Sequence, residues 1–242
     1  LPDPSGCRAA VSARYRQSVR PGQSLGEVRE ALDREPELDH AVWRLYSAHL
    51  NALGKKEEAA AVLLEGIQRS AHPIHTLLLQ LQLVSQRTLM GDSAGARRLR
   101  TAIGAAVVRN GRPYLRWLYL DDLAMATRDA GDIAGMDSLL RERVTVAHRA
   151  RATEAECFSL YYLGWSRLDL RHDPRAAPAP LTRSIALAEE IGSPYFITMV
   201  YERRARAFLQ LGDFRRAEPD VRRALVERRM VVIEDIGVAK SD

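Results

Sequence analysis

The sequence predicts an all-α fold built from antiparallel helix pairs, on three observations. Apolar residues recur at helical spacing, as in Leu77, Leu78, Leu81, Val84 and Leu89, and period-two clusters of β-branched and aromatic residues are scarce. Breakers fall at regular places: Pro36, Pro73, Pro113, Asp173-Pro174 and Pro194. Between them, near the middle of each segment, sit Gly54, Gly91, Gly131 and Gly212. The pattern is a helix, a Gly-containing turn, a second helix and a break.

Taken in order, residues 7–19 and 24–34 read as an N-terminal helical hairpin within residues 1–38. Its GQSLG stretch has the Gly-x-Ser-x-Gly spacing of a serine nucleophile elbow, but an elbow needs a buried strand before it. The preceding RYRQSVRP is a basic stretch ending in Pro21. Ser24-Leu25-Gly26-Glu27 is instead a capping box that opens a helix, so Ser24 is structural. Residues 39–229 hold the repeats. The segment 41–73 aligns with 198–229: Trp43 with Tyr201, Ser47 with Ala205, Leu50 with Phe208, Gly54 with Gly212, Ala59 with Ala217, Leu63 with Val221, and Gly66 with Ala224. Weaker copies contain Leu83, Gly91, Asp92 and Ala96, then Leu120, Ala124, Gly131, Asp132 and Leu140, then Leu163, Gly164 and Ala177. In the last of these, Pro174, Pro178 and Pro180 delay the second helix to about residue 180, because an interior Pro costs ~3 kcal/mol. Residues 230–242, MVVIEDIGVAKSD, read as a tail or the start of a following segment, a short strand or loop.

These alignments resemble the tetratricopeptide repeat (TPR), in long, divergent copies similar to those of bacterial signalling and transcription-activator proteins. The resemblance implies a right-handed superhelical solenoid whose first helices line a concave face. Small residues let the helices of a pair cross closely, and large ones fill the gaps between pairs. Some members clamp a C-terminal carboxylate with Lys, Asn and Arg on consecutive first helices. This chain has Arg44 and Asn51 but Ala48 where the second Asn belongs, so that function is not carried over.

Composition narrows the function. With 242 residues and 46% apolar content the chain can bury a sizeable core. No apolar run reaches the roughly 18 residues of a membrane span, and no signal-peptide pattern opens the chain, so a cytoplasmic protein without a membrane role is expected. The start at Leu1 rather than Met is that of a processed protein or a piece of a longer one. Two distant cysteines, Cys7 and Cys157, argue for a reducing compartment and against a disulfide framework. The net charge of +5 is carried by arginine, with Lys55, Lys56 and Lys240 the only lysines, and Arg with Ala at this level is what a GC-rich bacterial genome supplies. Arginines 203, 204, 206, 215, 216, 222, 223, 228 and 229 crowd the last repeat, but Glu202, Glu218, Asp220 and Glu227 interleave with them and stacking aromatics are scarce. This describes an ion-paired surface rather than a nucleic-acid site.

No cofactor, metal or catalytic constellation is readable. His72 and His75 flank a helix start without nearby ligands, Cys157 reads as a packing thiol, and Asp121-Asp122 lacks a third ligand. The concave positions expected from the alignment are Arg44, Ala48 and Asn51; Leu81 and Ser85; Asp121, Met125 and Arg128; Tyr161, Trp165 and Leu168; and Glu202, Arg206 and Leu209. Of these, Arg44, Asn51, Asp121, Arg128, Tyr161, Trp165, Glu202 and Arg206 are the candidate partner-binding residues, with Tyr161 and Trp165 read either as aromatic anchors or as packing between repeats. The expected function is a non-catalytic scaffold for a protein or peptide in a bacterial signalling or regulatory protein, with homo-oligomers allowed by the exposed end hairpins. The alternative is the ligand-sensing and oligomerisation segment of a multidomain transcriptional activator.

Overall fold

The computed structural model describes residues 40–239, and these form ten α-helices with no strand among them. The proposed N-terminal hairpin, the Ser24 capping box and residues 240–242 lie outside the described residues. The chain divides into two compact units, one up to Ala106 and one from Val107.

The first unit holds α1 (His40–Ala52), α2 (Lys56–Arg69), α3 (Pro73–Leu89) and the start of α4 (Ser93–Asn110). Trp43, Leu50, Ala59, Val62, Leu63, Leu79 and Leu83 make its core, with Leu99 of α4 packed against it. Gly66 is small for a physical reason: a Cβ there would meet the Trp43 ring at 2.8 Å. Asn51 and the buried Gln86 exchange amide hydrogen bonds at 2.6 and 2.9 Å, and Gln86 Nε2 also donates to the Lys56 carbonyl at 2.9 Å. This polar lock ties α1 and α2 to α3.

The second unit holds the rest of α4, then α5 (Pro113–Asp129), α6 (Ile133–Arg149), α7 (Thr153–Trp165), α8 (Pro178–Ile191), α9 (Pro194–Gln210) and α10 (Phe214–Ala239). Helix α7 runs directly into a π-helical turn, Ser166–Leu170. One cluster joins Ala124 of α5, Met136 and Leu140 of α6 and Leu163 of α7. Another joins Leu168 of the π turn, Leu181 and Ile185 of α8, and Val200 and Ala207 of α9. Gly164 leaves room for Leu181, whose side chain a Cβ would strike.

The turns explain the glycine spacing. Gly54, Gly91, Gly131 and Gly212 all have φ between +71° and +82°, where a side chain is strained. After three of them an aspartate caps the next helix: Asp92, Asp132 and Asp213 accept from the backbone amides of Gly95, Gly135 and Arg216 at 2.8, 2.8 and 3.0 Å. The Asp213 carboxyl is held below its ordinary pKa first by that backbone amide, then by the Arg216 side chain.

Helix α8 starts at Pro178, with Pro tolerated in its first turn where the amide has no helical partner. The C-terminal segment departs from expectation. Helix α10 continues through residues 230–239, where a strand or loop was read. Pro219 removes one bond near its start without ending it, and no further Pro or Gly interrupts the run before Gly237.

Candidate functional site

The second unit gathers six of the eight candidate residues onto or beside α5, α7 and α9, the first helices of its pairs. Asp121 of α5 is half-buried and ion-paired at 2.9 Å with Arg143. Arg143 comes from α6, a second helix, and its side chain is fully buried. Its guanidinium lies 4.1 Å from the Trp117 ring centroid, 5.5 Å from that of Tyr162 and 5.8 Å from that of Phe158. None of its nitrogens makes a well-aligned hydrogen bond to another protein group, and the aromatic faces and one carboxylate surround it. Burial pushes the Asp121 carboxyl above its ordinary pKa, even though Arg143 pulls it down, and burial likewise lowers that of Arg143. Desolvation outweighs the attraction on both sides.

The aromatics extend the site. Trp117 Nε1 donates to Ser159 Oγ at 2.9 Å, joining α5 to α7. Phe158, Tyr162 and Trp165 follow along α7 with edge-to-face contacts at 4.9 and 5.8 Å. Phe158 also meets Phe196 of α9 edge-on at 6.0 Å, and Tyr195 beside it is exposed. Trp165 packs one face on the Ala124–Leu163 cluster and receives the Arg128 guanidinium at 5.9 Å. Tyr161 packs on the Leu181–Val200 cluster, and its hydroxyl accepts from Arg203 at 3.0 Å. Both anchors are half-buried: each is partly core and partly accessible.

At the α9 side, the π turn presents Asp169 to two arginines, Arg203 and, at 3.0 Å, Arg206. Arg206 and Glu202 are exposed, and Glu202 pairs with Arg228 of α10 at 2.7 Å. Arg128 pairs with its neighbour Asp129 at 2.7 Å. Arginines of the last repeat form ion pairs, including Arg204 with Asp220, Arg222 with Glu218 and Arg223 with Glu227.

The remaining candidates lie in the first unit. Arg44 is half-buried, and Asn51 is taken up by the Gln86 lock. Leu81 and Leu168, expected on the lining, are buried core residues. His72 caps α3, accepting from the Ile74 amide at 3.3 Å, and His75 stacks near both His72 and His40 at centroid distances of 4.7 and 4.6 Å. Among the described residues no group of three or more His, Cys, Asp or Glu is arranged to hold a metal. Cys157 is buried against Ser184, and burial raises its thiol pKa. No helix among the described residues is long and apolar enough to cross a membrane.

Sequence reasoning took lining residues only from first helices and therefore missed Arg143. A signal was present. Arg143 lies twelve residues after its turn glycine, where the clear repeats carry Gly66 and Ala224.

No protein-family model and no curated protein sequence matches the chain. The fold is nevertheless similar to solved structures. BtubC (BKLC) from P. vanneervenii superposes with a TM-score of 0.69 over 87% of this chain and 89% of its own, at 16% identity. A candidate kinesin light chain from Podosopora anserina with nearly identical TPR-like repeats superposes with a TM-score of 0.61 over 78% of this chain and 94% of its own, at 17% identity. At such identities the likeness establishes a fold, that of the TPR-like helical repeats.

Proposed function

We propose that this chain, a TPR-like helical repeat, is a non-catalytic scaffold that holds an extended segment or helix of a partner protein on the first-helix face of α5, α7 and α9. The observation that carries this reading is the joining of half-buried aromatics to arginines: Trp165 beneath Arg128, and Tyr161 beside Arg203, which shares Asp169 with the exposed Arg206. Aromatic rings fixed on one side by core packing lose little entropy on binding, and the arginines orient what lies across them. The Asp121–Arg143 pair supports the same reading, because a desolvated ion pair with unmade hydrogen bonds is a stability cost of the kind found at functional sites. The setting we infer is a bacterial cytoplasmic signalling or regulatory protein, in keeping with the Arg- and Ala-rich composition.

The test is an affinity pull-down from a GC-rich bacterial lysate with the intact chain and with an Arg128→Glu/Arg206→Glu variant. Both side chains reach solvent, so the variant keeps its core. A protein recovered by the intact chain and lost with the variant supports the groove. The same set with both, or nothing with either, removes it.

A further inference from the structure

Exposed arginines of the second unit commonly answer one carboxylate each. Arg116 meets Glu142, Arg222 meets Glu218 and Arg228 meets Glu202. On α6 the ratio changes, because the buried carboxylate of Asp137 faces three guanidiniums. Arg141, one helical turn on, donates to its Oδ2 at 2.5 Å. Arg171 approaches the same oxygen at 3.6 Å, and Arg167 stands 3.7 Å from Oδ1. Arg167 lies within the π turn and Arg171 just past its end, so a single turn of chain delivers both.

The three cations differ in role. Arg167 is mostly buried and donates to the Ala176 carbonyl at 3.1 Å, so it fastens the loop that follows the π turn. The Arg141 and Arg171 side chains are 61% and 45% exposed. At 3.6 Å Arg171 is too far from Asp137 for a hydrogen bond, so it lends charge while its donors face outward. One negative charge set against three positive ones leaves an excess of two at this spot. Asp137 is buried and cannot turn away to water, which keeps the two outer guanidiniums side by side. The next acid along the loop, Asp173, is spent on the backbone amides of Arg175 and Ala176 at 3.2 and 3.1 Å. Paired planar donors with unmatched positive charge fit a tetrahedral oxyanion. A nucleic-acid strand needs a track of unmatched cations. Here the excess is local, since Arg128 has Asp129 and Arg206 has a share of Asp169.

We propose that Arg141 and Arg171, where α6 meets the π turn, form a binding site for a phosphate-type dianion, with Asp137 as the positioning residue beneath them. The ligand is free phosphate or a phosphoryl group carried by a partner, and the recognition chemistry is the same for both. The site uses none of the candidate groove residues, so it does not depend on the groove reading.

The full chain is titrated at low salt with inorganic phosphate by calorimetry, and with a labelled phosphoserine peptide and its unphosphorylated twin by fluorescence anisotropy. We expect saturable 1:1 binding of a phosphoryl probe, weakened roughly tenfold or more by Arg141→Gln/Arg171→Gln. Arg116→Gln/Arg222→Gln removes the same charge from two exposed arginines elsewhere and should change affinity by no more than about twofold. Binding of inorganic phosphate identifies a free anion as the ligand, and binding of the phosphopeptide alone identifies a phosphorylated partner; either supports the site. All four side chains are solvent-facing, so circular dichroism of both variants should match the parent. If the first variant loses helix, Arg171→Gln alone carries the test, because its contact with Asp137 is too long for a hydrogen bond, and it should weaken binding about threefold or more. No saturable binding of either phosphoryl probe, an equal loss in both double variants, or equal binding of the unphosphorylated peptide would each overturn the proposal.

Discussion

The α1–α2 pair and the α5–α6 pair obey one register and pack in opposite ways. In the first, Trp43 stands eleven residues before the turn glycine and Gly66 twelve after it, and the indole lies where a Cβ at Gly66 would be. In the second the same two positions hold Leu120 and Arg143. A large residue against a small one has become a medium residue beside a long, charged one. The first pair is closely crossed at Gly66. The second admits a guanidinium that passes from the outer helix to the first-helix face, where it meets Trp117 and Asp121. A helical repeat can therefore give up one close crossing to bury a charge beneath its first helices while the register survives on both sides.

The largest expected effect breaks this comparison directly. Gly66→Arg, which imposes the second arrangement on the first, has no space beside Trp43 and should cost about 4 kcal/mol or more, read by urea denaturation of the full chain. Gly66→Ala should cost about 1–2 kcal/mol despite alanine's better helix propensity, because an indole cannot give way like a flexible chain tip. Trp43→Leu, the residue type of the second pair, should then recover part of that loss, and additive effects would separate the two positions.

Arg143→Met should have the opposite sign. Made together with Asp121→Asn, so that no unpaired carboxylate is left behind, it should leave stability unchanged or raise it by about 1–2 kcal/mol, while partner recovery falls. A large loss of stability would show that the cation–π contacts more than repay desolvation. Asp132→Ala removes the cap of α6 and should cost about 1 kcal/mol by the same denaturation.

The smallest effect is in pH dependence. Asp121 has a folded-state pKa above its ordinary value, so the folded chain holds that proton more tightly than the unfolded one. Its contribution is favourable below the ordinary carboxylate range and is lost as pH rises through the window up to the raised value. The stability difference between the parent and Asp121→Asn should therefore drift in that direction across mildly acid pH. A difference that is flat, or that grows in the parent's favour with rising pH, would mean Arg143 dominates over burial.

Helix pairs, turn glycines and the ion-paired last repeat were legible in the residues themselves, because each depends on neighbours within a few positions. Left-handed turns require Gly at Gly54 or Gly131 whatever surrounds them, and Arg222 meets Glu218 because they lie one turn apart. The helical course of residues 230–239 was misread, since a short apolar run carries no decisive period.

The candidate lining positions in the second unit were read from helical phase, but their contacts were not legible that way. That Tyr161 meets Arg203, that Asp169 serves two arginines and that Asn51 is spent on Gln86 depend on how segments 34 to 42 residues apart cross. The sequence by itself determined a series of amphipathic helix pairs, through local backbone preferences and apolar periodicity. Only the tertiary structure decided that Arg143 lies buried against Asp121 and the aromatic rings of α5 and α7. Burial, and with it the energy of a charge or an apolar surface, is a property of what packs across from a residue and not of the residue alone.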